Sequence, residues 1–168
     1  MNITELNTLD SADFINCLGD IYEHSPWVAE CVSQQRPFLD ISQLATQMQH
    51  CVLTANPTAQ MALICAHPEL AGKLAISGNL TAASLSEQSA AGLNNCSAAE
   101  FAALSQLNAD YQQKFGFPFI IAVRGLKRAD IIAAMTQRLT HTPEQEINTA
   151  LYEIGRIAQF RLNDLLTS

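Results

Sequence analysis

Apolar positions along the chain recur mostly at helical spacing. After Asp10 or Ser11, either of which suits an N-cap, Phe14, Cys17, Leu18 and Ile21 mark a helix expected to end near His24. Ser25-Pro26 restarts helical structure, serine as N-cap and proline in the first turn, and Trp27, Val28, Cys31 and Val32 give its apolar stripe until Pro37. A third helix is expected from about Ile41 to Leu53, and a fourth, capped by Thr58, from about Ala59 to Ala66. Pro68 cannot supply a backbone N–H, so His67 falls near the end of that fourth helix, where the helix dipole favours a protonated imidazole.

Farther on, Ser84-Leu85-Ser86-Glu87-Gln88 places Ser84, Glu87 and Gln88 at i, i+3 and i+4, on one side of a helix. Ser97-Ala98-Ala99-Glu100 is a capping box that opens a long helix to Lys114, and Gly116 suits the positive φ common just after a helix end. Phe117-Pro118-Phe119-Ile120-Ile121-Ala122-Val123 then reads as extended. No partner strand is evident, so its backbone groups must find other partners, a bound polar ligand among the candidates. Leu126 to about Leu139 forms another helix, and Thr142-Pro143-Glu144-Gln145 caps the last one. There Ile147, Ala150, Leu151, Ile154, Ile157, Ala158, Leu162 and Leu165 form a stripe that Arg161 interrupts. With no repeat, low-complexity segment or linker, the pattern predicts one all-α domain over residues 1–168, a helical bundle with one short extended segment near residues 117–123.

Composition narrows the function classes. With 48% hydrophobic residues, 7 glycines and 6 prolines, the chain can bury a continuous core. A net charge of −7, with 9 Lys and Arg that nowhere form a basic run, argues against a nucleic-acid or acidic-membrane binder. The stretch from Ile41 to Pro68 has no Asp, Glu, Lys or Arg, but Gln, Ser, Thr and Asn recur through it and Asn56-Pro57 cuts it, so buried helices explain it better than a membrane span. The five cysteines, Cys17, Cys31, Cys51, Cys65 and Cys96, show no Cys-x-x-Cys pair and read as reduced core thiols. Neither a signal-peptide pattern nor a Ser-Lys-Leu type ending is present, so a cytoplasmic location is expected. No metal-ligand spacing, Gly-rich phosphate loop or nucleophile elbow occurs, so no metal is expected.

Several residues admit two readings. His67 either caps a helix end or acts as an acid–base group. Glu87 is either a solvated surface acid or a group facing a site, on a helix with no Lys or Arg around it to form a salt-bridge ladder. Arg161 on a buried stripe needs an anion or hydrogen-bond acceptors; a structural pair with an acid such as Glu87 and a pocket for an anionic substrate both satisfy it. Phe115, Phe117, Phe119 and Trp27 read most simply as core, and His24, His50 and His141 as structural.

Taken together, His67-Pro68-Glu69-Leu70-Ala71-Gly72-Lys73, Ser84-x-x-Glu87-Gln88, Phe115-Gly116-Phe117-Pro118-Phe119-Ile120 and Glu146-Ile147 to Arg161-Leu162 resemble the OHCU decarboxylases of the urate-degradation pathway. Ser25-Pro26-Trp27 is similar to the family's early helix start, and the likeness spans nearly the whole chain. The resemblance implies an all-α enzyme without cofactor that converts the anionic small molecule 2-oxo-4-hydroxy-4-carboxy-5-ureidoimidazoline to (S)-allantoin and carbon dioxide, in some cases as a homodimer. It also implies His67 as acid–base group and Glu87 as orienting group. Substrate-binding positions would be Pro68, Ser84, Leu85, Ser86, Glu87, Gln88, Phe119, Ile120, Ile121, Ala122 and Val123, with Arg161 meeting the substrate's charge. Two other classes stand beside this one: a non-enzymatic helical module that binds a partner helix, and a hydrolase or isomerase of a related cyclic ureide.

Overall fold

Capping side chains set where most helices begin. The computed structural model describes residues 1–71 and 81–167, so Gly72 and Lys73 of the His67 motif lie outside the described residues. The chain divides into two compact units, Met1–Ala66 with Ile154–Ser168, and His67–Glu153. Among the described residues there is no strand, only an isolated bridge between Asn2 and Thr167.

In the first unit, α1 (Ile3–Thr8) opens on an Asn2/Glu5 capping box. Asp10 caps α2 (Ser11–Leu18) by accepting from the Asp13 N–H. This helix stops at Leu18 rather than near His24: Gly19 and Asp20 are poor helix formers, and the chain turns through His24 at φ +48°. After α3 (Trp27–Ser33), Asp40 caps α4 (Ile41–Thr54). The next helix, α5 (Pro57–Ala66), is capped by Asn56, whose Oδ1 accepts from the Ala59 N–H at 2.9 Å, and not by Thr58; Pro57 then occupies the first position, where its missing N–H costs nothing. Leu6, Phe14, Val28, Val32, Leu44, Met48, Ile64 and Leu162 are among the fully buried residues of this first unit, whereas Trp27 is only half-buried.

The cysteines correct a sequence expectation. α3 and α4 pack on each other, which brings Cys31 and Cys51 to a Cα–Cα separation of 6.4 Å, and the two form a disulfide. Of the rest, Cys17 and Cys96 are half-buried and Cys65 is exposed, so the picture of five reduced core thiols fails on both counts. Sequence spacing finds local motifs, and this pairing depends on helix packing. The bridge closes a loop with a separation of 20 residues, so reduction should lower stability by about 3 kcal/mol on the chain-entropy account. Urea unfolding with and without dithiothreitol measures this; equal midpoints would mean that the bridge adds no constraint beyond helix packing.

In the second unit, Thr81 caps α6 (Ala82–Ala90), and a 3-10 turn follows at Leu93–Asn95. The expected Ser97/Glu100 capping box opens α7 (Ala98–Phe115), which ends on Gly116 at φ +80°, as its sequence requires. Residues 118–123 have no regular structure. α8 (Arg128–Arg138) packs on α7. The last helix, α9 (Pro143–Leu165), carries the expected Thr142/Gln145 capping box and contributes residues to both units. Its buried stripe holds more charge than Arg161 alone, because Glu146 and Glu153 are buried beside Ala150, Leu151 and Ile154.

Candidate functional site

His67 directly follows α5, opens the second unit and is 7% exposed. Residues 67–71 are neither helix nor sheet, and side chains from two helices bind their backbone groups. Gln88 on α6 supplies two of the bonds: its Oε1 accepts from the Ala71 N–H at 3.0 Å, and its Nε2 donates to the Glu69 carbonyl at 3.2 Å. Asn108 on α7 supplies a third, donating from Nδ2 to the Leu70 carbonyl at 2.9 Å. Ala71 itself sits at φ +50°. Along α6, Ser84 and Gln88 are buried and Glu87 is half-buried, as expected for one inward-facing side, while Leu85 and Ser86 are exposed. The Thr81 hydroxyl accepts from the Ser84 N–H at 3.3 Å, fixing where this helix starts. Pro68 is half-buried.

The extended run that lacked a partner strand is held by charged side chains instead. Arg138 on α8 donates from Nη1 to the Ile120 carbonyl at 2.7 Å, and Glu153 on α9 accepts from the Ala122 N–H at 2.8 Å. Phe119, Ile120, Ala122 and Val123 are buried and Ile121 half-buried. The Arg138 guanidinium also lies over the Phe119 ring, 4.3 Å from its centroid, and Phe119 meets Tyr111 edge-on at 5.2 Å.

Behind this segment stands a buried ionic cluster. Glu146 is fully buried and takes the Arg138 guanidinium through Nε at 3.0 Å and Nη2 at 2.8 Å, with His141 Nδ1 2.6 Å away and the Tyr111 hydroxyl donating to it. Burial alone would raise the Glu146 carboxyl, but the hydrogen bonds from Arg138 and Tyr111, the guanidinium charge and the His141 contact outweigh it and hold the carboxyl below its ordinary value. Burial, reinforced by the Glu146 carboxylate, pushes the Tyr111 hydroxyl upward.

Arg161 belongs to the first unit, where the acid described beside it is Glu23 at 2.9 Å. Both are buried, and Arg161 Nη1 also lies 3.4 Å from the Ile21 carbonyl. Of the two sequence readings, a structural ion pair is thus present, with Glu23 as the acid. Sequence reasoning gave no role to Glu23, Asn108, Arg138, Glu153 or Glu146, the last quoted only as part of a motif. For Glu146 and Glu153 a signal existed, since both fall on the helical stripe that drew attention to Arg161. Among the described residues, no group of three or more His, Cys, Asp or Glu is placed to hold a metal ion, and no helix is long and apolar enough to cross a membrane.

Known proteins resemble this chain along almost its full length. It is 37% identical to the 2-oxo-4-hydroxy-4-carboxy-5-ureidoimidazoline decarboxylase of Haloferax volcanii, over 100% of this chain and 98% of that protein. It is 40% identical to the uric acid degradation bifunctional protein PucL of Bacillus subtilis, over 97% of this chain but only 32% of that longer protein. Among solved structures, an OHCU decarboxylase crystallised in the presence of (S)-allantoin superposes with a TM-score of 0.71 at 25% identity, covering 93% of this chain and 98% of the other. The OHCU decarboxylase family model matches residues 7–163, and the chain belongs to that family.

Proposed function

We propose that this chain decarboxylates 2-oxo-4-hydroxy-4-carboxy-5-ureidoimidazoline to (S)-allantoin and carbon dioxide in urate degradation, acting as one domain, without a cofactor and in the cytoplasm. The observation that carries the reading is the setting of His67: a buried imidazole on a loop tied by Gln88 to the helix that also bears Ser84 and Glu87. In a cytoplasmic setting the Cys31–Cys51 bridge would stand under reducing pressure.

The substrate carries its own electron sink. Its departing carboxylate is on the ring carbon next to a C=N bond. As carbon dioxide leaves, the electron pair forms a C=C bond to the neighbouring carbon and the imine nitrogen takes a proton. The hydroxyl then becomes the carbonyl of allantoin while the ureido-bearing carbon takes a proton on one face. The protein supplies orientation, charge stabilisation and that facial proton. His67 serves as acid–base group, and Glu87 holds the hydroxyl or a ring N–H and orients the reacting group. Ser84, Gln88 and the backbone from Phe119 to Val123 hydrogen-bond ring and ureido atoms, with Pro68, Leu85 and Ser86 around them. Arg161, which pairs with Glu23, meets the negative charge of the substrate.

The test is circular dichroism during conversion of freshly generated substrate, with carbon dioxide release followed in parallel. Faster release with growth of one allantoin enantiomer is the expected result. Release at the spontaneous rate with racemic product would overturn the assignment.

A further inference from the structure

We propose that Asn108 is a positioning residue for His67, one half of a clamp whose other half is Gln88; the proposal rests on the acid–base role assigned to His67 above. Three consecutive residues of the His67 loop are gripped by these two amides: the Glu69 carbonyl and the Ala71 N–H by Gln88, and the Leu70 carbonyl between them by Asn108. Gln88 is the neighbour of Glu87 on α6, so one helix carries both the orienting carboxylate and half of the grip. Asn108 extends the hold to α7, a second helix. The clamp also ends on a strained residue. Ala71 has φ +50°, a conformation that L residues other than Asn and Asp visit rarely, and such a residue persists only where its surroundings over-determine it.

What separates this role from ordinary stabilisation is the other atom of the Asn108 amide. The residue is 7% exposed, and its Oδ1 is buried with no hydrogen-bond partner among the described residues. A buried acceptor left unpaired opposes folding, and an apolar residue of the same shape would avoid that cost. That cost offsets much of what the Nδ2 bond to the buried Leu70 carbonyl contributes, so the net gain in stability from asparagine is small. What it supplies is the Nδ2 donor that fixes the Leu70 carbonyl, and with it the path of the loop that starts at His67.

Two variants remove that donor differently. Asn108→Leu removes the Leu70 bond and the unpaired acceptor together; Asn108→Asp keeps the shape and offers no N–H at neutral pH. Both should lower kcat for carbon dioxide release about 10- to 100-fold, the loss expected when a reacting group is misplaced, while KM stays within about threefold. Asn108→Leu should unfold near the wild-type temperature, exchange its Ala71 amide proton faster, and shift the limb of the kcat–pH profile that reports the acid–base group. Wild-type kcat in both variants, or unchanged exchange at Ala71, would overturn the clamp. Failure of both variants to unfold cooperatively would make Asn108 a fold residue and overturn it equally. A wild-type protein that does not accelerate release would instead defeat the decarboxylase assignment itself.

Discussion

Replacing His67 with alanine is expected to lower kcat by about 10²- to 10⁴-fold, the range that a positioned acid–base group contributes. His67 is buried and lies just past the end of α5, so a bland alternative exists in which the ring only satisfies helix-end carbonyls. His67→Gln separates the two, because glutamine keeps hydrogen-bonding capacity and shape but cannot carry a proton back and forth near neutral pH. An acid–base role makes the glutamine variant as inactive as the alanine one, with an unfolding temperature close to wild type. A capping role makes it nearly wild type in both respects. Product chirality adds a second readout: if His67 delivers the proton to one ring face, the residual product of either variant should drift toward racemic allantoin, formed by the unassisted path. Turnover at the wild-type rate in His67→Gln would remove the imidazole from the mechanism.

The parts of the molecule that were legible in sequence are those decided within a few residues. Ser97 and Glu100 announce α7 because the capping box is a local exchange of hydrogen bonds, and Gly116 ends the helix because its φ is set by its own lack of a side chain. That Ser84, Glu87 and Gln88 share one side of α6 follows from helix spacing alone, whereas the burial of that side depends on what packs against it. Where two local candidates compete, the outcome is less readable: Asn56 and Thr58 both suit a cap, and the helix takes the asparagine because Pro57 fits best as its first residue. Contacts distant in sequence leave no such trace. Cys31 meets Cys51 only after α3 packs on α4, and Glu23 meets Arg161 across most of the chain length. The extended run near Phe119 shows the same limit. Its need for backbone partners was predictable, but the partners, Arg138 and Glu153, come from helices that follow it.

The largest effect on stability should come from Glu146. Glu146→Gln removes the negative charge from a fully buried site and leaves Arg138, itself 6% exposed, without its counter-charge. Breaking a buried pair from one side costs about 3–5 kcal/mol, which for a chain of this size lowers Tm by about 6–20 °C. The pair as a whole is worth far less than that, because burying two charges offsets most of their attraction. Arg138→Met with Glu146→Leu should therefore recover much of the stability lost in either single variant, while the Ile120 carbonyl, deprived of its Arg138 donor, leaves the extended segment looser and the enzyme slower. Recovery of both stability and turnover would mean that the cluster does not support the 119–123 segment.

Acid should expose the same cluster. The unfolded chain protonates Glu146 near its ordinary value of 4.5, whereas the folded protein holds this carboxyl lower. Between those two values the unfolded state binds more protons, so the stability contributed by Glu146 is present above about pH 4.5 and is lost as pH falls toward the depressed folded value. Urea midpoints measured from pH 6 to pH 3 should fall more steeply for the wild type than for Glu146→Gln, the two curves converging in acid. Parallel curves would mean that Glu146 is not held in its charged form by Arg138, Tyr111 and His141. In that case the cost of removing it would reflect packing alone.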